Sequence, residues 1–337
     1  MSGSAFRTFT DPDAYHAAIS GSYGYSHSDG VVTARGNFRA DFARIQLDRV
    51  LLRHAEETLP RTAHSAMDPR QFLIAFTTDP RQQIYVSGLE LVPDAIVVLR
   101  AASEGYNRYV SGSRWSGIAL SHEDAAAAGQ TLIGRELIAP PNTQLIKPSP
   151  PLFSKLLKLD KAVRHLAEAA PEVLASAEVA RALDQTLTRV MIRCLSEGQG
   201  IEVRSVHWRH AAIMRRLENF FEANRDRTLH LTDLCAAAAA SDRTLRILCH
   251  EHLGMSPTRY LGLRRMHLAR RALRMADPTT TTVTEIATSY AFWELGRFAV
   301  AYRSLFGETP SATLRRPPED PRPQKIFDSP WRLPEFA

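Results

Sequence analysis

The chain has 337 residues, 42 Lys+Arg against 36 Asp+Glu, a net charge of +6 and 44% apolar residues. That length suits about two domains of roughly 100–200 residues each, and the composition excludes a mostly disordered or collagen-like chain. The longest uncharged apolar runs, at 95–99 and 235–240, fall far short of the ~20 residues of a membrane span.

The charge is unevenly placed. Residues 207–316 hold 17 arginines, no lysine and 10 carboxylates, while the rest of the chain holds 25 basic and 26 acidic side chains. A GC-rich genome explains the 37 Arg against 5 Lys, but not this segregation. The pattern is that of a nucleic-acid-binding module joined to a neutral one. The first residues, Met-Ser-Gly-Ser-Ala-Phe-Arg, lack the apolar core of a signal peptide, so a cytoplasmic location is expected. Cys194, Cys235 and Cys249 are odd in number and lack C-x-x-C spacing, which predicts reduced thiols.

Residues 1–151 read as a β-rich domain. The stretch at 38–47 alternates imperfectly, and 72–77, 83–86, 96–99 and 117–120 are short apolar or β-branched runs with Gly or Pro nearby. Several short strands at such spacing suggest a sandwich or barrel. Residues 152–197 read as helices. Val179, Leu183, Leu187, Val190 and Met191 recur at three and four, an amphipathic stripe that suits packing on the β domain or a homodimer interface. Gly198-Gln-Gly200 ends it, and 198–207 reads as a linker. Residues 208–316 read as wholly helical, with Ser256-Pro257 as a helix start and Thr282-Val-Thr-Glu285 as a capping box. The last segment, 317–337, is a Pro-rich tail.

An internal repeat organises the helical part. Gly254-Met-Ser-Pro-Thr-Arg-Tyr-Leu261 returns 53 residues later as Gly307-Glu-Thr-Pro-Ser-Ala-Thr-Leu314, and Asp233-Leu-Cys235 returns at an offset of 52 as Glu285-Ile-Ala287. One residue is therefore inserted in the turn between two short helices. Each copy reads as helix, tight turn, helix, then Gly and a Ser/Thr-Pro start: a duplicated helix-turn-helix. The helix from Ser256 to about Met275 makes a rod of about 30 Å. Such a rod suits two recognition helices one DNA turn, about 34 Å, apart.

Residues 208–316 resemble the DNA-binding domain of the AraC/XylS transcription regulators. Leu234, Ser241, Leu245, Gly254, Ser256-Pro257, Tyr260-Leu261, Arg265, Ala269 and Leu273 carry the match in the first half. Ile286-Ala287, Phe292, Phe298, Tyr302, Phe306-Gly307 and Pro310-Ser311 carry it in the second. The N-terminal 200 residues resemble, more loosely, the cupin-like effector domain of the same family. The implied fold is α+β: a β-rich cupin-like barrel with trailing helices, then an all-α domain of two helix-turn-helix units joined by a long helix. The family usually has Gly in each turn; here Ala239 and Ala291 stand there. If those turns need positive φ, Ala costs about 1–2 kcal/mol, and with the small Ala238 beside it the first unit is expected to be the weaker.

The resemblance maps base contacts onto Arg243, Arg246 and Ile247, with Thr244 beside them. Arg243 and Arg246 share a helix face, and Arg suits bidentate contact to guanine. In the second reader the outer positions are Leu295, Gly296, Arg297 and Val300. Leu295 and Val300 suit thymine methyls, and Gly296 allows close backbone approach. Leu245 and Phe298 are expected in the core, and Trp293 packed at the helix entry. Arg264, Arg270, Arg271 and Thr309 are candidate phosphate contacts, and Arg265 is expected, by resemblance, to brace the two halves.

No residue pattern identifies the effector. His16, His27, His54, His64 and His122 are scattered, and no metal site or cofactor is expected. Tyr85, Tyr106, Tyr109 and Trp115 are candidates to line an apolar cavity. The chain lacks H-E-x-x-H, G-x-S-x-G, Walker A and Rossmann motifs, so no enzymatic activity is expected. The expected function is a ligand-responsive transcription regulator, an activator by resemblance. Its expected partners are double-stranded DNA, RNA polymerase, an unknown small molecule and a second copy of itself. An effector-independent regulator is the alternative, and a cupin-like enzyme fused to DNA-binding helices a remote one.

Overall fold

Alternating side chains on the strands decide the N-terminal architecture. The computed structural model of the chain describes residues 3–20, 25–101, 104–201, 206–224 and 229–316. The expected tail at 317–337 lies outside the described residues. In chain order come β1 (Gly3–Phe9), α1 (Pro12–Ser20), β2 (Tyr25–Val32), β3 (Ala40–Gln46), β4 (Leu51–Glu57), β5 (Arg61–Met67), β6 (Gln71–Thr77) and β7 (Ile84–Val86). Next are β8 (Leu89–Glu90), β9 (Ile96–Leu99), β10 (Glu104–Tyr109), β11 (Ser113–Ser121), α2 (His122–Ile133) and β12 (Gln144–Lys147). Then follow α3 (Pro150–Ala169), α4 (Pro171–Leu174), α5 (Ala177–Glu197), β13 (Gln199–Ile201) and α6 (Val206–Ala223). The last helices are α7 (Leu231–Ala238), α8 (Asp242–Leu253), α9 (Pro257–Met275), α10 (Val283–Ser289), α11 (Leu295–Phe306) and α12 (Pro310–Arg315).

The strands form two antiparallel sheets, one ordered β1-β3-β4-β11-β6-β9-β12-β13 and a smaller one ordered β2-β5-β10-β7-β8. Neighbours along a strand face opposite sides. Leu51, Leu73 and Ala119 of the larger sheet face the smaller sheet, while Leu52, Ile74 and Ile118 face α2, α3 and α5. The expected strands are present as β3, β6, β7, β9 and β11. β5 escaped the periodic reading because Arg61, Thr62, His64 and Ser65 are all buried. Arg61 is held there by Glu57, with Nη2 donating to Oε1 at 2.9 Å. Glu57 Oε1 also accepts from Tyr15 Oη at 2.7 Å and Trp115 Nε1 at 3.0 Å.

Two expectations need correction. The linker at 198–207 is partly β13, which pairs with β12 and closes the larger sheet. The stripe on α5 is no free dimer interface, because Leu187 and Met191 are fully buried in the domain's own core. Asp184 locks this orientation. Its Oδ1 accepts the backbone N–H of Arg49 at 2.8 Å and of Val50 at 2.7 Å, pinning α5 to the turn between β3 and β4.

The duplication is literal in three dimensions. α7 and α10 start 52 residues apart, α8 and α11 start 53 apart, and the 19-residue α9 joins the copies. Each first helix ends in the same motif. Ala240 N–H donates to Cys235 O at 3.1 Å, and Phe292 N–H donates to Ala287 O at 2.9 Å. This six-to-one closure puts a left-handed residue at the helix end. Ala239 has φ +50° and Ala291 φ +60°, so both turns carry the strain that glycine would relieve. The same strain in both turns does not by itself set the two units apart. The core of the first unit also takes in Val31 and Tyr106 of the β domain, whereas the second unit rests on the smaller cluster around Leu273, Phe298 and Tyr302.

Ala239→Gly and Ala291→Gly should each stabilise the protein by about 0.5–1 kcal/mol, the steric relief outweighing the added chain entropy. Urea unfolding reads this directly; destabilisation by either substitution would contradict the strained turns.

Candidate nucleic-acid interface

The first candidate reader is α8. Ser241 caps it, its Oγ accepting the Thr244 N–H at 3.2 Å, and the Thr244 hydroxyl bonds back to Ser241 at 2.9 Å. Leu245, Leu248 and Cys249 turn inward and are fully buried. Arg243, Arg246 and Ile247 are exposed on the other face. Arg246 Nε is paired with Asp242 at 2.5 Å, whereas Arg243 has no ion-pair partner among the described residues. Of the two arginines, Arg243 is therefore the one not engaged in an ion pair.

The second candidate reader is α11. Phe298 and Tyr302 are buried, and Leu295, Gly296, Arg297 and Val300 are exposed. Arg297 Nε pairs with Glu294 at 2.9 Å. A Cβ built on Gly296 would meet nothing within 4 Å, so the protein's own packing does not require glycine there. Trp293 is not the packing residue expected: it is 71% exposed. The longer second turn lifts it off the core, and it extends the exposed surface of Leu295 and Val300. Its exposure depends on where the inserted residue falls, which no local pattern shows.

Each turn is held from behind by an arginine. Arg216 of α6 donates through Nη2 and Nε to Ala238 O at 2.7 and 3.0 Å. Arg265 of α9 donates to Ala291 O at 3.4 Å and lies over the Phe292 ring at 5.3 Å. Arg265 thus joins the linking helix to the second turn, the bracing expected of it.

Four other arginines of α9 turn to carboxylates, while Arg259 is exposed. Arg264 is 5% exposed and pairs with Glu222 and, at 3.3 Å, with Glu218. Arg270, also 5% exposed, reaches Asp11 at 2.6 Å and Asp13 at 3.2 Å. Arg271 pairs with Asp13 at 2.5 Å and with Asp29, and Arg274 pairs with Asp11. Burial opposes ionisation of Asp29, but the hydrogen bond and charge of Arg271 outweigh it and hold the carboxyl well below its usual range. Carboxylates of the β domain thus occupy Arg270 and Arg271, and carboxylates of α6 occupy Arg264, the guanidiniums expected to meet phosphates. Thr309 Oγ1 accepts the Ala312 N–H at 3.2 Å and so caps α12.

A helix-turn-helix domain family matches residues 234–316. Over 101 residues the chain is 41% identical to XylDLEGF operon transcriptional activator 1 of Pseudomonas putida, a match covering 30% of each protein. A solved structure of a probable AraC family transcriptional regulator from Rhodopseudomonas palustris is 35% identical, with 31% of this chain and 98% of that one covered and a TM-score of 0.28. The C-terminal domain is of the AraC/XylS family. The chain spans only 30% of the length of the curated activator it matches. ToxT from Vibrio cholerae is 10% identical over 86% of this chain and 96% of that one, with a TM-score of 0.27. In the AraC/XylS domain Leu245, Leu273, Phe298 and Tyr302 fall inside the cores, while the candidate reader positions fall on the open faces of α8 and α11.

Arg270→Ala removes one partner of a buried ion cluster and should cost about 3–5 kcal/mol in urea unfolding. The salt dependence of DNA affinity should not change, since this guanidinium meets Asp11 and Asp13 rather than phosphate. A salt slope reduced by about 1 would instead restore the phosphate contact.

Proposed function

We propose that the protein is a transcription activator that binds double-stranded DNA through α8 and α11 and responds to a small molecule bound by its N-terminal domain. The supporting observation is the pair of exposed reader faces held at the two ends of a single helix about 28 Å long. In this reading one chain presents what a symmetric dimer presents elsewhere, two helices for successive major grooves. In this reading the bound chain then touches RNA polymerase. No helix among the described residues is long and apolar enough to cross a membrane.

The tyrosines and tryptophan expected to line an apolar cavity do not share one among the described residues. Tyr109 and Trp115 line a void between the sheets, but it measures only about 30 Å³. Tyr106 points the other way, into the helical domain. A cleft of about 370 Å³ lies instead between the outer face of the larger sheet and α3, within the roughly 300–1,000 Å³ of ligand sites. Strand register sets its floor: Phe6, Ala43, His54 and Ser116 stand in one row, and Thr8, Asp41, Glu56 and Arg114 in the next. Arg164 and Glu168 of α3 complete the lining. Behind it, Ser116 Oγ donates to Asp160 Oδ2 at 2.9 Å and meets His54 Nδ1 at 3.0 Å. With the hydroxyl proton directed at Asp160, His54 donates through Nδ1 and keeps Nε2 as an acceptor. Burial, aided by Arg164 and Arg114, lowers the His54 pKa to about 4, so the ring is neutral.

β1 connects this cleft to the helical domain. Phe6 and Thr8 line the cleft, and Asp11 and Asp13 follow them into the cluster with Arg270, Arg271 and Arg274. A ligand that displaces β1 acts on α9 through those carboxylates, provided it binds one arrangement better than the other.

Two experiments test the reading. Footprinting with purified protein at stated salt should protect two adjacent major grooves on one face of the duplex. Arg243→Ala should relax preference at one base position by about 1–3 kcal/mol; a uniform loss across all sequences would remove its base-reading role. Asp160 supplies the second test. Burial raises its pKa to about 6, against the Ser116 hydrogen bond and Arg164. Between about pH 4 and pH 6 the folded protein holds a proton that the unfolded chain releases, so stability falls as pH rises through that window and is level above it. Asp160→Asn should flatten that slope and add about 1–2 kcal/mol at pH 7.5. An unchanged pH profile would mean Asp160 is not the buried acid beneath the cleft.

A further inference from the structure

Behind the first reader, two neighbouring helices bring together side chains that the sequence keeps apart. His210 lies on α6, and Glu251 and His252 are consecutive on α8. Their ligand atoms, an imidazole nitrogen from each histidine and a carboxylate oxygen, all lie within 4.8 Å of one another. His210 Nδ1 and Glu251 Oε2 are already 3.1 Å apart. His252 is buried, and its ring lies close against Gly88 of the β domain, where an added Cβ would sit 2.9 Å from Cε1. The glycine at that position, at φ +83°, leaves room for the imidazole. On its other side His252 borders a void of about 10 Å³, also lined by His64, Glu104 and Tyr106. That is about the space of a single water.

We propose that His210, Glu251 and His252 form a zinc site. Two imidazoles and one carboxylate are the donor set of three-ligand zinc centres that keep a fourth position for water. The mixture of nitrogen and carboxylate donors favours zinc and its transition-metal neighbours over calcium or magnesium, which take oxygen alone. Tetrahedral bonds of about 2.0–2.1 Å put neighbouring ligand atoms about 3.4 Å apart. The His210–Glu251 pair already meets that spacing, and a small turn of the His252 ring brings the third atom in. The ion would fasten the C-terminal turn of α8 to α6 at the seam with the smaller sheet. It would thereby stiffen the first reader from the side away from DNA. The site stands whether or not the cleft beneath α3 binds an effector.

The test uses the full chain, stripped with a chelator and then titrated with Zn(II), and with Co(II) as the spectroscopic probe. One equivalent of Zn(II) should remain bound through gel filtration and raise the melting temperature. Co(II) should show the ligand-field absorption of a four- or five-coordinate site. His210→Gln and Glu251→Gln, both at partly exposed positions, should each weaken binding by more than about ten-fold. The metal-free melting temperature of each variant should match that of the metal-free parent, which separates lost ligation from lost folding. Failure to retain an equivalent of either metal overturns the site. So does undiminished binding by His210→Gln, which would place the ion elsewhere.

Discussion

A guanidinium leaves water at least cost where an anion meets it, and four of the α9 arginines, Arg264, Arg270, Arg271 and Arg274, are withdrawn onto carboxylates. Leaving such a charge unpaired costs several kcal/mol, so α9 can dock only where carboxylates await it. Glu218 and Glu222 of α6 serve Arg264 from within the helical domain. Asp11, Asp13 and Asp29 serve Arg270, Arg271 and Arg274 from the β domain. Asp11 does two tasks, since its Oδ2 also accepts the Ala14 N–H at 3.2 Å at the start of α1. The cluster thus orders a helix terminus of one domain and the orientation of the other at once. His16 and His267 are buried beside it and kept neutral. Burial lowers both pKa values, with neighbouring arginines adding to it, and His267 falls to about 4.

An apolar seam reinforces that ionic one. Val31 and Tyr106 on the outer face of the smaller sheet belong to the same core as Met214, Leu217 and Leu253 of the helical domain. Tyr106 donates to Glu218 and meets the Tyr260 ring edge-on at 5.7 Å. Glu218 is therefore shared between a tyrosine of one domain and an arginine of the other. Both sides of the smaller sheet are covered, one by its partner sheet and one by helices. The docking leaves Arg243, Ile247, Arg297 and Val300 open, so it orients the readers without covering them.

Much of the helical domain was legible because its signals are local. Ser241, Ser256, Thr282 and Thr309 each cap a helix through their own side chain, and a cap is a matter of three or four residues. The inward turn of Leu245 and Phe298 follows from helical period alone. The β domain was less legible. Arg53 and Arg61 are almost fully buried in strands, so polarity there did not mark the solvent face. The cleft beneath α3 depends on the register of β1, β3 and β4, and neither rows nor register can be read from a strand in isolation. Trp293 misled because its burial depended on the length of a turn. The three cysteines are free, as their spacing predicts, and burial raises the thiol pKa of Cys194 to about 11 and of Cys249 to about 12.

The sequence by itself determined the duplicated helix-turn-helix, the rigid helix between its halves and the positions that face outward. These are periodicities, caps and repeats, encoded within a few turns of chain. Tertiary structure alone decided what the remaining arginines do. A charged side chain on a helix looks the same whether it will meet a phosphate or an aspartate. The difference lies in partners some 240 to 260 residues away, and only folding sets them face to face. The same holds for His210 with His252, and for the α5 stripe. Adjacency across distant elements is a property of packing, to which local pattern has no access.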